Sequence, residues 1–271
     1  MSKVIRASML PASNDCMRRA MANQYAKELA KYGYKLRHTL NNIGATIGTA
    51  THSVIEKYFA SKIYQTEYNE KNSLDEVINT LQDNIKNGIL WDDTTSNIDT
   101  AIYQIKRMAT AYIESVGKHI IPIETEIRLE VDYNDWIISG QIDLVAQHEQ
   151  GGIHLHDLKT GTTYRSHHAQ LGAYSLLYRS VNTDAYVKSA TIDYVERLPK
   201  SRAQKEPIIT NYDVALCERV AEATIDRIIE NFNKFEATGN INSFPENPMS
   251  MLCNEKYCPA FNTDFCPITK K

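Results

Sequence analysis

A chain of 271 residues, of which 42% are hydrophobic and 23% charged, has globular composition, which excludes a disordered chain. Its formal net charge of −3 does not by itself indicate a nucleic-acid binder. No stretch approaches the roughly eighteen consecutive apolar residues that span a membrane, and residues 1–10 lack the apolar run of a secretory signal. We therefore expect a cytoplasmic protein without membrane contact, whose thiols stay reduced and whose length suits one large domain.

The first 120 residues are predicted to be mostly helical. Ser13 can cap a helix over 15–32, and Gly33 can end it. Further helices are predicted over 48–63, 73–87 and 97–116.

The chain then changes its hydrophobic period. Polar and apolar residues alternate over 124–131, which predicts a half-buried strand. Turn residues separate this strand from two more. The later elements are then predicted in the order strand 136–146, strand 153–159, helix 167–179, strand 185–195 and helix 213–235. This order indicates an α+β fold with a mixed sheet flanked by helices. We expect one domain over 1–271, with a helical part (1–120), a core (121–240) and an irregular cysteine-rich tail (241–271).

Two acids and a lysine fall late in neighbouring predicted strands. Asp143 follows Gly140 by three residues, and Asp157 is followed by Leu158 and Lys159. Antiparallel pairing of the two strands would bring both carboxylates to one point. Charges that end a buried face are costly unless they have a partner or a task. A D-x-K pattern alone more often marks a surface salt bridge.

Phosphodiester hydrolysis supplies such a task. Carboxylate oxygens suit Mg²⁺ or Mn²⁺, which polarises a phosphate and activates bound water. Asp143, Asp157 and the backbone carbonyl of Leu158 could bind such a metal, and Lys159 could offset charge in the transition state.

Further residues of suitable chemistry occur in a fixed order around this pair. They are Gly48 and His52 on a predicted helix, Glu126 on a strand, and Gln170 and Tyr174 one helical turn apart. The ordered set from Gly48 to Tyr174 resembles the RecB-like nucleases of the PD-(D/E)XK superfamily. Their pattern runs G-x₃-H, Glu, G-x-x-D, D/E-x-K-T and Q-x₃-Y, and they include exonuclease V, CRISPR adaptation nucleases and phage exonucleases.

The resemblance implies a restriction-endonuclease-like fold and a role for each matched residue. His52 becomes a metal ligand beside Asp143, Asp157 and Leu158, and Lys159 becomes the catalytic lysine. Gln170 and Tyr174 would position the active site and the DNA backbone. Glu126 is the expected further acid, although Glu124 and Glu130 share its strand face. His154, His156, His167 and His168 are expected to be structural.

The five cysteines fall at 16, 217, 253, 258 and 266. A close trio in a cytosolic chain indicates a metal before a disulfide, whereas Cys217 alone on a helix suggests a buried thiol. The iron–sulfur nucleases of the same branch join one N-terminal cysteine to such a trio. The resemblance thus implies a 4Fe–4S cluster on Cys16, Cys253, Cys258 and Cys266. Met17 replaces their usual proline, and spacings of four and seven residues are wider than theirs, so structural Zn²⁺ or an unmetallated tail stays open.

Charge is distributed unevenly along the chain. Residues 1–40 hold eight Lys and Arg against two acids, whereas the remaining 231 residues carry nine more acidic than basic groups. This basic end indicates either a phosphate-binding face, with Arg18 and Arg19 as DNA contacts beside Tyr174, or a solvated helix surface. The two arginines could also serve only to brace the cysteine site.

Several functions fit these features. The leading prediction is a metal-dependent DNA exonuclease that acts on DNA ends or single strands in recombination, repair or phage DNA processing. The alternatives are a flap or structure-selective endonuclease, a non-catalytic DNA-binding assembly protein that keeps the fold, and a redox protein. The intact acids and lysine disfavour the last two. No Walker loop is present, so we expect no ATP motor in the chain itself. The chain could still work beside a helicase or an annealing protein.

Overall fold

A computed structural model describes residues 3–161 and 167–268 of the chain. The helices are α1 (Leu10–Asp15), α2 (Met17–Gln24), α3 (Ala26–Lys31), α4 (Ile43–Tyr64), α5 (Glu70–Lys86), α6 (Ile98–Ser115), α7 (His168–Val181) and α8 (Val214–Thr238). The strands are β1 (Lys3–Arg6), β2 (Asn41–Asn42), β3 (Ile89–Leu90), β4 (Pro122–Tyr133), β5 (Trp136–Gln147), β6 (Ile153–Gly161), β7 (Val187–Glu196) and β8 (Ile208–Tyr212). Within these described residues, no helix is both long enough and apolar enough to cross a membrane.

Six of the strands form one mixed sheet. Its path is β1-β5-β6-β7-β8, and β4 pairs with the other edge of β5. The β1–β5 and β6–β7 pairs are parallel, whereas β4–β5, β5–β6 and β7–β8 are antiparallel. The parallel step from β6 to β7 requires a crossover, which contains α7. The predicted α+β class with a mixed sheet and a helical N-terminal half is confirmed.

The sheet separates two hydrophobic clusters. One contains side chains of α7, α8 and the short N-terminal helices. The other contains side chains of α4, α5 and α6. Strand β6 contributes to both, because Leu155 lies in the first cluster and Leu158 in the second. This alternation follows from the two-residue period of a strand.

Helices α4, α5 and α6 each begin where an asparagine side chain caps them. Asn42, Asn69 and Asn97 each accept a hydrogen bond from the backbone N–H three residues later. The cap at Asn42 starts α4 five residues before the predicted start at residue 48. Such caps satisfy N–H groups that would otherwise lack partners, so they fix the first turn.

The prediction of one continuous helix over 15–32 is wrong, because the structure breaks it at two residues. Cys16 is extended, with φ −154° and ψ 106°, and separates α1 from α2. A second break at Tyr25 separates α2 from α3. Ser13 is not an N-cap, because it lies inside α1 and its hydroxyl donates to the carbonyl of Leu10. Strands β1 and β8 were not predicted, since both are short and β1 is held by a partner more than 130 residues away.

Candidate active site

Pairing of β5 with β6 brings the two predicted acids together. The register matches Leu144 with His156, which sets Asp143 opposite Asp157. The backbone N–H of Leu158 donates to Asp143 Oδ2 at 2.7 Å. The convergence of these carboxylates, predicted from the order of the strands, is therefore present in the structure.

Helix α4 adds a histidine to the Asp143 carboxylate. His52 Nδ1 lies 3.5 Å from Asp143 Oδ2. One ligand atom each from His52, Glu126 and Asp143 lies within 4.8 Å of the other two, in a geometry that could hold a metal ion. We call these three residues the metal cluster.

Backbone conformation distinguishes Glu126 from the other glutamates of β4. Glu126 has φ +51°, a left-handed conformation that non-glycine residues seldom adopt. Glu124 instead accepts a hydrogen bond from Tyr178, and Glu130 is exposed. Strain of this kind persists where the surrounding structure enforces it and often marks a functional position. Glu126 is thus the glutamate of β4 that joins the metal cluster.

The second acid lies with the lysine rather than with the metal cluster. Asp157 is fully buried, and Lys159 Nζ contacts its two carboxylate oxygens at 2.8 and 2.6 Å. Gln170 Nε2 lies 3.3 Å from Asp157 Oδ1 and donates to Tyr174 Oη at 2.7 Å. His167 Nδ1 lies 3.2 Å from Gln170 Oε1. The predicted Gln170–Tyr174 pair therefore contacts the D-x-K motif directly.

Burial and crowded negative charge set the ionisation of this region. Burial, reinforced by Asp143, raises the pKa of Glu126 to about 7. Burial also raises the pKa of Asp157 to about 6, although Lys159 opposes the shift. Burial alone would lower the pKa of His52, but the Asp143 carboxylate outweighs it and raises that pKa. Added positive charge would relieve this crowding.

Beside the metal cluster lies a buried polar network that the sequence did not indicate. Tyr112 Oη donates to Asp193 Oδ2 at 2.6 Å, and His156 Nδ1 lies 2.9 Å from the same oxygen. The His154 ring stacks on His156 at 4.1 Å between centroids. His156 and Tyr112 line the same cavity as His52. The sequence does contain one sign of this network, because Asp193 is an acid within the otherwise mostly apolar strand β7.

Four of the five cysteines line one cavity. Cys16, Cys253, Cys258 and Cys266 are all buried, and Arg19 and Glu246 line the same cavity. Burial raises the pKa of Cys258, and the neighbouring Cys16 and Cys266 add to the effect. Cys217 does not line this cavity; it is buried on α8, with its backbone against Gly172 of α7. The structure therefore gathers the four predicted cysteines and leaves out the fifth.

The two arginines predicted to contact DNA are buried. Arg18 is 2% exposed and donates to the carbonyls of Phe244 and Ile241 at the start of the tail. Arg19 is 4% exposed and donates to Ser250 and Asp15. A contact with phosphate would break these bonds and leave buried carbonyls unsatisfied, at about 1–3 kcal/mol each. The geometry favours the alternative role of bracing the cysteine tail.

The mixed sheet gathers acids and a lysine from β4, β5 and β6, and α4 adds a histidine, an arrangement typical of a nuclease fold of the restriction-endonuclease type. The family model of the PD-(D/E)XK nuclease superfamily matches residues 7–263, so the chain belongs to that superfamily.

Solved structures agree at the level of the fold. The chain is similar to a crystal structure of a candidate exonuclease from Eubacterium rectale, with TM-score 0.53 and 9% identity over 93% of this chain and 87% of that one. SSO0001 gives TM-score 0.35 at 14% identity, covering 83% of this chain and 76% of that one. LHK-Exo in complex with dAMP gives TM-score 0.29 at 14% identity, covering 70% of this chain and 97% of that one. The last two likenesses are too weak to carry an argument. No curated protein matches the sequence.

Proposed function

We propose that this chain is a metal-dependent deoxyribonuclease that degrades DNA from its ends. The observation that carries the proposal is the metal cluster of α4, β4 and β5, which lies beside the Asp157–Lys159 ion pair of β6. Membership of a nuclease superfamily supports hydrolysis of a phosphodiester as the reaction.

The donor set fits a divalent cation. Glu126 and Asp143 offer carboxylate oxygens and His52 an imidazole nitrogen, and their ligand atoms already lie within 4.8 Å of one another. Asp157 and the Leu158 carbonyl complete the proposed ligand set on the adjoining strand. When bound, Mg²⁺ or Mn²⁺ polarises the phosphate and lowers the pKa of a coordinated water.

The remaining residues hold the lysine in place. The Asp157 carboxylate fixes Lys159 Nζ, so the ammonium group is positioned before substrate arrives. There it can offset the negative charge that develops on the phosphate in the transition state. Gln170 contacts both Asp157 and Tyr174, which ties α7 to the site. We assign Gln170 to positioning, and Tyr174 to positioning and to the path of the DNA backbone.

We propose a 4Fe–4S cluster on Cys16, Cys253, Cys258 and Cys266, with Zn²⁺ as the alternative occupant. Support comes from the burial of all four cysteines around one cavity, where they join the N-terminal helices to the irregular tail. The role we assign to this site is structural, since no cysteine belongs to the metal cluster. A cytoplasmic location and a helicase or annealing partner remain part of the proposal.

The mode of attack is tested with matched linear and circular DNA. In Mg²⁺, we expect the protein to degrade end-labelled linear DNA and to leave covalently closed circles of the same sequence intact. EDTA should stop the reaction. Cleavage of circles at the linear rate would contradict the exonuclease and favour the endonuclease. If both substrates survive, the nuclease proposal fails and the non-catalytic alternative stands.

A further inference from the structure

A basic loop leaves the sheet next to the proposed active site. The β7–β8 loop, residues 197–207, contains four Lys and Arg and one acid, Glu206. It begins where the Arg197 N–H donates to the carbonyl of Gly161 at 2.7 Å. Gly161 ends β6 and lies two residues beyond Lys159. The loop therefore starts at the strand end that carries the proposed catalytic lysine.

Helix α4 relates the start of this loop, beside Gly44, to His52 of the metal cluster. The Arg197 guanidinium lies 3.1 Å from the place of a Cβ at Gly44. His52 follows Gly44 by eight residues in the same helix, a separation of about 12 Å at 1.5 Å per residue. That length corresponds to roughly three or four nucleotides at 3.4 Å each along one strand.

Contacts from α6 fix the shape of the loop. Arg107 donates to the carbonyls of Leu198, Pro199 and Arg202, the last at 2.8 Å. Gln104 Nε2 donates to the Leu198 carbonyl at 2.9 Å. A loop held in this way loses little conformational entropy when a ligand binds.

Two cations of the loop are available to a ligand. Arg197 is bonded to Asp92, and Lys205 is paired with Glu196 at 2.7 Å. Lys200 and Arg202 are exposed, and neither forms an ion pair within 3–161 and 167–268. Lys200 Nζ instead lies 5.5 Å from the ring of Tyr103, which is 42% exposed.

We propose that Lys200 and Arg202 bind the phosphate backbone of the DNA strand that enters the active site, with Tyr103 beside them as an exposed aromatic surface. The inference rests on the proposed function and names the path of its substrate. Exposed cations on a loop whose backbone α6 holds, and whose first residue lies about 12 Å along α4 from His52, suit a chain of phosphates. An exposed ring among cations is a common platform for single-stranded bases. This surface replaces Arg18 and Arg19, whose side chains are buried.

The test compares two charge reversals of equal size. Lys200→Glu/Arg202→Glu changes the β7–β8 loop. Arg219→Glu/Lys234→Glu changes exposed residues of α8, which packs on the opposite face of the sheet. Binding of a fluorescein-labelled single-stranded oligonucleotide is measured by anisotropy in EDTA at several salt concentrations, and melting temperatures report folding.

The loop variant is expected to raise Kd roughly tenfold. The slope of log K against log salt should become about 1.4 smaller in magnitude, because each of the two lost phosphate contacts contributes about 0.7 on single-stranded DNA. The α8 variant should bind like the parent. Parental Kd and slope in the loop variant, or equal losses in both variants, would overturn the inference. If the loop variant melts early, Lys200→Gln/Arg202→Gln must show the same ranking in a folded protein. Because binding is measured without metal, a parent that binds DNA through this loop but hydrolyses none would refute the nuclease and leave the surface standing.

Discussion

Replacing Asp157 with Asn, or Lys159 with Met, is expected to lower the rate of DNA hydrolysis by about a hundredfold to a thousandfold. Loss of a group that stabilises charge in the transition state typically has this size. The two side chains contact each other at 2.6 Å, with Asp157 1% and Lys159 26% exposed, so each also fixes the other. Initial rates on labelled linear DNA in saturating Mg²⁺ give the measurement.

Stability must be separated from catalysis in this experiment. Lys159→Met leaves the buried Asp157 carboxylate without its counter-charge, and breaking a buried ion pair in this way destabilises proteins by about 3–5 kcal/mol. Asp157→Asn leaves the half-buried Lys159 ammonium without its carboxylate. The double variant Asp157→Asn/Lys159→Met removes both charges and should melt closer to the parent than either single variant. Its activity should fall no further than that of the worse single variant, because residues that act together are not additive. A folded double variant that hydrolyses DNA at the parental rate would refute the assignment of this pair.

Replacing Cys16 with Ser is expected to remove the metal from the cysteine site and to lower the melting temperature by about 10 °C or more. Cys16 lies at the break between α1 and α2, while its three partners lie more than 230 residues later. A metal that joins such distant segments closes a long loop, and loss of one ligand removes most of its contribution to folding. For a chain of this size, 1 kcal/mol corresponds to about 2–4 °C.

Cys217→Ser is the matched control for this experiment. Cys217 is 1% exposed in the α7–α8 cluster, and a Cβ at Gly172 would stand 1.9 Å from its carbonyl oxygen. The substitution should shift melting slightly and leave metal content unchanged. An absorbance band at about 400 nm in protein purified without air indicates an iron–sulfur cluster, and iron and zinc analysis identifies the metal. If Cys217 is required for metal and Cys16 is dispensable, the link between the two chain ends must be abandoned.

The sequence predicts the chemistry of the site better than it predicts which residues form it. The pairing of Asp143 with Asp157 follows from strand order, and the Gln170–Tyr174 contact follows from helical spacing. Alternation along β4 could not choose among three glutamates that share a face. The positive φ of Glu126 makes that choice, and it is a property of the folded backbone.

Long-range contacts explain what the sequence could not show. A count of basic residues cannot show that Arg18 is buried, because its partners Phe244 and Ile241 lie more than 220 residues away. The break at Cys16 is equally invisible to helical periodicity. Strand β1 exists through its pairing with Trp136–Ser139 of β5, so four residues read alone did not predict it.

The most direct test of the metal cluster compares Glu126→Gln with Glu130→Gln. Both substitutions remove one carboxylate from β4, but Glu126 belongs to the metal cluster and Glu130 is exposed. The rate of labelled DNA hydrolysis is measured as a function of Mn²⁺ concentration. Glu130→Gln should follow the parent, whereas Glu126→Gln should need at least about tenfold more Mn²⁺, the loss expected when one ligand is weakened. Identical metal dependence in both variants, or hydrolysis by the parent in EDTA, would contradict a metal-dependent nuclease at this site.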